Sequence, residues 1–232
     1  MSMIPNKSIC FFCDPYDTNL HKKIEDEIVA NQYAVNGSSG FQIAYRRFSN
    51  VYASYIEKRE FAEIITDPFG NTTEFQRIEY QQIQFQLRQQ PPHIIIFNPQ
   101  RYYRKLLNII AQFSSFTIAI EEKVINVIDW VSEVLKNDND GKINKVEVEK
   151  IAYDSKTIGA LSLSSDDDLR PKLETILESR PHFLKKVTVT FDKIGRSNLE
   201  LYSNGRITFQ KAMEIDEFNS IYNAFCKILL LK

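Results

Sequence analysis

The chain has 232 residues, of which 43% are hydrophobic, 12% aromatic and 25% charged. This composition belongs to a folded globular protein and excludes general disorder, a collagen-like repeat and a disulfide-stapled miniprotein. Lys and Arg number 29 against 30 Asp and Glu, a formal net charge of -1, so no whole-chain field draws nucleic acid or membrane. With 7 Gly and 3 His, there is little raw material for phosphate-cradling loops or His-built metal sites.

The length suits one large domain or two of about 100 residues. The apolar run Ile9–Cys13 is shorter than the ~7–15 residues of a secretory core. Ile94–Phe97 and Ile228–Leu231 are far shorter than the ~20 residues that span a bilayer. An odd cysteine count of 3 fits a reducing interior, so the expected location is cytoplasmic with no membrane partner. Richness in Ile, Asn and Gln is compatible with an AT-rich bacterial or mobile-element gene.

In chain order, Ser8–Cys13 reads as a buried strand. Asp17 or Thr18 caps a helix over Asn19–Asn31, with Leu20, Ile24 and Ile28 on one stripe. Asn36–Gly40 breaks regular structure. Phe41–Phe48, Tyr52–Thr66 and Thr73–Leu87 are rich in aromatic and β-branched residues and read as strands, the last two joined through Asp67–Asn71. In the third strand Ile78 and Tyr80 share one parity, and Ile83, Phe85 and Leu87 the other. A strand of period 2 cannot bury both sets on one face, which predicts a bulge near Gln81 or Gln82.

Pro91-Pro92 ends that strand, and His93–Phe97 reads as a short strand buried on both faces. Asn98 and Pro99 supply a cap and a first helical position for a helix to Phe113. Phe116–Glu121 is a predicted strand and Val124–Lys136 a second amphipathic helix. The polar stretch Asn137–Gly141 marks the expected boundary between domains 1–138 and 139–232. Strands at 143–153, 158–164 and 185–191, a helix at 167–179 and a hairpin closed by Ser203-Asn204-Gly205 follow, the Asn-Gly pair favouring a type I′ turn. Ile215–Leu231 is the cleanest amphipathic helix. The expected fold is α+β: two-layer mixed or antiparallel sheets with helices packed on one face, in two sub-domains.

Four patterns could carry chemistry and have plainer structural readings. Cys10 and Cys13 have the spacing of a zinc half-site or redox pair but flank two Phe within a strand, which sends them to opposite faces. Residues 136–147 resemble an EF-hand calcium loop when aligned on Gly141, with Asp138, Asp140 and Glu147 at ligand positions. Lys136 replaces the first carboxylate and a strand pattern the exiting helix, so a polar turn is the reading. Ser164–Asp168 reads as a helix cap. Glu147, Glu149 and Lys150 have the residue types of a metal-dependent nuclease at generic spacing.

The pattern that stands out is Gln100–Lys105. Arg101, Arg104 and Lys105, with Tyr102 beside them, place cations in a first helical turn, against the helix dipole at about 0.3–1 kcal/mol each. An anionic partner would relieve that conflict, and the plainer reading is that these surface cations pair with Glu57, Glu60 or Glu63 of the sheet. Arg46 and Arg47 form a second basic pair among aromatics. Gln82, Gln84, Gln86 and Arg88 form the polar parity of a strand, suited to a hydrogen-bonding surface. No catalytic motif is present, and no metal or cofactor is expected. The sequence therefore suggests a non-enzymatic adaptor or subunit that docks a protein through these ten residues, with nucleic-acid binding through the same cations as the alternative and a scattered-carboxylate nuclease behind both. The oligomeric state is not legible at this level.

Overall fold

A computed structural model describes residues 5–136, 141–152, 154, 156–177, 180–191, 197–211 and 214–230. Over these residues the chain forms five helices and eleven strands, an α+β protein in which strands dominate. No helix among the described residues is long and apolar enough to cross a membrane. Contacts gather the chain into two compact units, Cys13–Ile120 and Met1–Phe12 with Glu121–Lys232. The expected boundary at Asn137–Gly141 falls on 137–140, outside the described residues. The elements on either side of it, a helix at Val127–Leu135 and a strand at Gly141–Ala152, lie in one contact unit.

The unit Cys13–Ile120 begins within the last two residues of strand β1 (Lys7–Asp14). It contains helix α1 (Thr18–Ala30), strands β2 (Ser39–Arg47), β3 (Asn50–Thr66), β4 (Thr72–Leu87) and β5 (Ile94–Phe97), and helix α2 (Arg104–Phe113). The four strands lie in the order β2-β3-β4-β5 with antiparallel ladders. Asp17 caps α1, its Oδ1 accepting from the Leu20 amide at 2.7 Å, and Ile24 and Ile28 are fully buried. Phe41 contacts Tyr55, Phe85 and Phe113 at ring-centroid distances of 5.2–6.0 Å, so one face of β2-β3-β4 meets α2.

The predicted bulge at Gln81 or Gln82 does not occur. The β3–β4 ladder runs without a shift from Val51↔Leu87 to Thr66↔Thr72. Ile83, Phe85 and Leu87 are buried, whereas Ile78 and Tyr80 stay on the opposite face at 51% and 61% exposure. The change of parity marks where the strand leaves the core, not where it bends. The predicted start of α2 also shifts: Asn98 has a left-handed φ of 45°, the next residues form turns, and regular helix begins at Arg104.

The other unit is assembled on β1 and on β7 (Gly141–Ala152), β8 (Ile158–Ser164), β9 (Phe183–Phe191), β10 (Ser197–Tyr202) and β11 (Ile207–Phe209), in the order β1-β11-β10-β9-β7-β8. The short strand β6 (Ala119–Glu121) precedes α3 (Val127–Leu135), capped by the Asn126 side chain, which accepts from the Ile128 amide at 3.0 Å. α4 (Arg170–Leu177) and α5 (Ile215–Leu230) complete it. Trp130 on α3 is fully buried, its ring edge-on to Phe225 at 4.7 Å and its Nε1–H donating to the Ile221 carbonyl at 3.0 Å. These contacts lock α3 to α5. Buried Ser8 Oγ and Tyr222 Oη, 2.8 Å apart, tie β1 to α5.

The β10–β11 turn is not type I′. That type needs positive φ at both central residues, and only Gly205 has it, at 80°. The Gly205 amide donates to the Tyr202 carbonyl at 3.0 Å and the Tyr202 amide to the Arg206 carbonyl at 3.0 Å, the signature of a three-residue loop closed by a left-handed glycine.

Candidate interaction surface

The entrance to α2 is wound as tight turns. The Tyr103, Lys105 and Leu106 amides donate to the carbonyls of Gln100, Tyr102 and Tyr103 at 3.0–3.1 Å. Tyr103, at the cap position, is already helical and offers no side-chain cap. Amides expected to await an anion are thus spent on the turns. Of the cations, Lys105 Nζ lies 2.7 Å from Glu57 Oε2 on β3. Burial raises the Glu57 carboxyl, but the Lys105 hydrogen bond and Arg59 outweigh it and hold the group below its ordinary value. Arg101 and Arg104 are exposed and form no ion pair among the described residues, and Tyr102 is half-buried beside them.

The second basic pair stands elsewhere. Arg46 Nε lies 2.7 Å from Glu25 Oε1 on α1, and the Arg47 guanidinium lies 5.7 Å from the centre of the exposed Phe48 ring. Arg46 pairs with Val51 on β3, six residues from Glu57, so about 20 Å of strand separates the two groups. They do not converge on one patch.

The glutamine row is divided by burial. Gln82 is exposed and Gln84 half-buried, but Gln86 is fully buried with Nε2 donating to Tyr52 Oη at 2.9 Å, and Arg88 is 7% exposed. Near β5 both sheet faces are covered, since Ile94, Ile95, Ile96 and Phe97 are all buried. The polar parity of β4 therefore turns inward at Gln86 and Arg88.

The feature that sequence reading missed lies farther along the same two strands. β2 pairs with β3 only as far as Glu57, and β5 with β4 only between Gln84 and Leu87. From Lys58↔Tyr80 to Thr66↔Thr72, nine ladder pairs continue as a two-stranded ribbon, about 30 Å long. Every residue from Glu60 to Ile78 is exposed except half-buried Asp67. One face carries Phe61, Ile65 and Phe75 at 44–52% exposure, the other Ile64, Ile78 and Tyr80 at 51–68%. A tight turn ends the ribbon. Asp67 Oδ1 accepts from the Phe69 and Asn71 amides at 2.8 and 2.9 Å, Oδ2 accepts from Asn71 Nδ2 at 2.8 Å, and Gly70 takes φ 88°. Hydrogen bonds from Asn71 hold the Asp67 carboxyl below its ordinary value. Phe69 stands at the tip, 91% exposed. A two-stranded ribbon is marginal alone in water, and apolar side chains with open backbone edges invite partners. The sequence signal was present: apolar residues of both parities flank a strong turn, a pattern that no one-faced strand produces.

A second unanticipated cluster joins Cys13, Tyr16, His21, Arg88 and His93. His93 Nδ1 accepts from the Cys13 amide at 2.9 Å, Tyr16 Oη lies 2.9 Å from His21 Nδ1, and the Tyr16 and His93 rings stand 4.2 Å apart. Burial pushes the Cys13 thiol up to about 12. Burial, then the Arg88 charge, pushes His93 down to about 4. A thiol held protonated beside a neutral imidazole is a poor nucleophile; the cluster braces the ends of β1 and β5.

Among the described residues, Glu147, Glu149 and Asp168 are engaged within the chain. Lys186, 9% exposed, lies 2.8 Å from Glu147 and 3.2 Å from Glu200, and Lys185 lies 2.5 Å from Glu149. Asp168 accepts from the Arg170 amide at 3.1 Å where α4 begins. Lys136 pairs with Glu133, and a strand at Gly141 follows where an EF-hand has a helix; positions 137–140 lie outside the described residues. Among the described residues no group of three or more His, Cys, Asp or Glu is placed to hold a metal ion. Comparison with protein-family models and with curated proteins returns no match.

Proposed function

We propose that this protein is a non-enzymatic interaction protein, a subunit or adaptor of a multi-protein system, that docks a macromolecule through the β3–β4 ribbon and the basic, tyrosine-bearing entrance of α2. In this reading it is built as two sub-domains with helices on one sheet face. The observation that carries it is the ribbon: apolar side chains on both faces, two open edges and a tip preformed by Asp67. A structure that leaves Phe61, Ile64, Phe75 and Ile78 in water without a core behind them gains from a partner that removes them, at about 25 cal/mol per Å² of apolar area. Tyr and Arg beside such a surface are the residue types that dominate interface energetics.

The test is a photo-crosslinking residue placed at Phe69 in the whole chain. It should give covalent adducts with a macromolecule in extract, whereas the same residue at Val35, 92% exposed but off the ribbon, should not. Equal yields from the two positions, or none from position 69, would overturn the docking role. Direct nucleic-acid binding is a second reading, favoured by the lack of ion pairs at Arg101 and Arg104. It requires an affinity for single-stranded oligonucleotide that falls steeply with salt; no binding at low ionic strength ends it.

A further inference from the structure

Two carboxylates on the ribbon have no cation of their own. Along β3 and β4, Lys58 pairs with Glu60, Arg59 with Glu57 and Arg77 with Glu79. Glu63 and Glu74 form no ion pair among the described residues. From Phe61 to Arg77 the sequence sets Glu63, Asp67 and Glu74 against Arg77 alone, so the outer part of the ribbon is acidic and its one cation is matched. Asp67 is committed to its own turn. Glu63 and Glu74 are not, and they lie on opposite faces. Glu63 stands directly across the ladder from Phe75, and Glu74 from Ile64, with Cβ atoms about 5 Å apart. Phe75 is 50% exposed and Ile64 68%.

These neighbours restrict what can cover the apolar side chains. A partner that takes Phe75 or Ile64 out of water also strips water from the carboxylate beside it, which is unfavourable unless the partner brings a cation. A nucleic acid would bring like charge instead. Both faces also need cover at once. A body resting on one face leaves the apolar residues of the other in water, whereas an extended strand laid along an edge turns successive side chains to both faces. The outer edges are open at residues 59–66 of β3 and 72–83 of β4, past the ends of the β2 and β5 ladders. We infer that the occupant of the ribbon is an extended, basic segment of another protein, alternating cations with apolar side chains, which adds to an open edge as a further strand. The inference rests on the docking role of the ribbon and names the chemistry of its partner. The foot of the ribbon, where Lys105 reaches Glu57 beside exposed Arg101 and Arg104, repels such a segment and directs it to the outer part.

The experiment is fluorescence anisotropy of labelled synthetic peptides of about ten residues, the length of the open edge, titrated with the full chain over roughly 1–500 μM. The first peptide alternates lysine with valine and phenylalanine. The second has glutamate for every lysine, and the third is the lysine peptide with two central prolines that forbid a strand. Only the first should bind, more weakly by roughly 10-fold or more at high salt. Glu63→Lys and Glu74→Lys should each weaken it by roughly 10-fold through like-charge contacts. Asp26→Lys, exposed on α1, should leave it unchanged, and circular dichroism checks that each variant is folded. A lysine peptide that does not bind overturns the inference, as does equal binding of the glutamate peptide or indifference to both ribbon variants. Equal binding of the proline peptide overturns strand addition. Failure of the lysine peptide while position 69 still crosslinks selectively in extract would refute the basic strand and leave the docking role intact; loss of that crosslink would remove the docking role itself.

Discussion

His93 offers a stringent test of the packing in the unit Cys13–Ile120. Its ring is 7% exposed, and burial together with Arg88 and His21 lowers its pKa from 6.5 to about 4, with Asp14 acting weakly in the opposite sense. The folded chain thus resists a proton that the unfolded chain accepts. Stability from this group is fully present above pH 6.5 and is lost as pH falls toward 4. With 1.36 kcal/mol per pKa unit, the loss is about 2 kcal/mol at pH 5 and about 3 kcal/mol at pH 4. His21, also lowered by burial, adds to it in the same direction. The window between pH 7 and 5 lies above ordinary carboxylate values, so the histidines dominate there. The assay is urea unfolding followed by far-UV circular dichroism at half-unit pH steps. In His93→Asn the side-chain oxygen can still accept from the Cys13 amide, and the titration is gone. This variant should be less stable at pH 7, because the Tyr16–His93 contact at 4.2 Å is lost, yet markedly flatter between pH 7 and 5. If wild type and variant fall in parallel, His93 is not held neutral by its surroundings and the account of the cluster is wrong.

Two further outcomes follow from single side chains in the other unit. Gly205→Ala would put a methyl group 2.6 Å from Cys10 Sγ and 3.3 Å from the Phe225 ring at a φ of 80°. It should cost about 2 kcal/mol or more and lower the midpoint of Trp130 fluorescence unfolding by several degrees; an unchanged midpoint would mean that the β10–β11 turn relaxes freely. Lys186→Met would leave Glu147 and Glu200 facing each other without the cation that lies 2.8 and 3.2 Å from them. Stability should drop by about 1–3 kcal/mol at pH 7, and the deficit should shrink toward acid pH, because the wild type itself loses there the Lys186 contact that holds Glu147 below its ordinary value. A deficit independent of pH would assign the loss to packing over Tyr202 instead.

Local chemistry made most elements legible. Asp17 caps a helix because its carboxylate oxygen satisfies an amide of the first turn, and α5 follows from three-and-four spacing alone. Ser8–Cys13 and Ile94–Phe97 are apolar runs that only burial can stabilise. These readings depend on neighbours within a few residues, and so they survive any tertiary arrangement. The errors arose where distant contacts decide. Asn98-Pro99 is a sound cap in isolation, yet the chain takes a left-handed residue at Asn98 and enters α2 through turns. Asn204-Gly205 favours a two-residue turn, yet Ser203 joins the loop and the ladder closes between Tyr202 and Arg206.

The candidate surface separates the two kinds of information more sharply. Sequence alone determined that Arg101 and Arg104 are surface cations near tyrosines, that Thr73–Leu87 is a strand, and that its apolar residues change parity. Only the tertiary structure decided that Lys105 is matched by Glu57, that Gln86 and Arg88 are buried, and that β3 and β4 run on beyond their neighbours as a ribbon. The physical reason is that a strand's pattern records which side of each residue is covered, whereas the cover itself comes from chain segments far away in sequence. Where that cover stops at Glu57 and Gln84, the same alternating residues cease to be a core and become a surface.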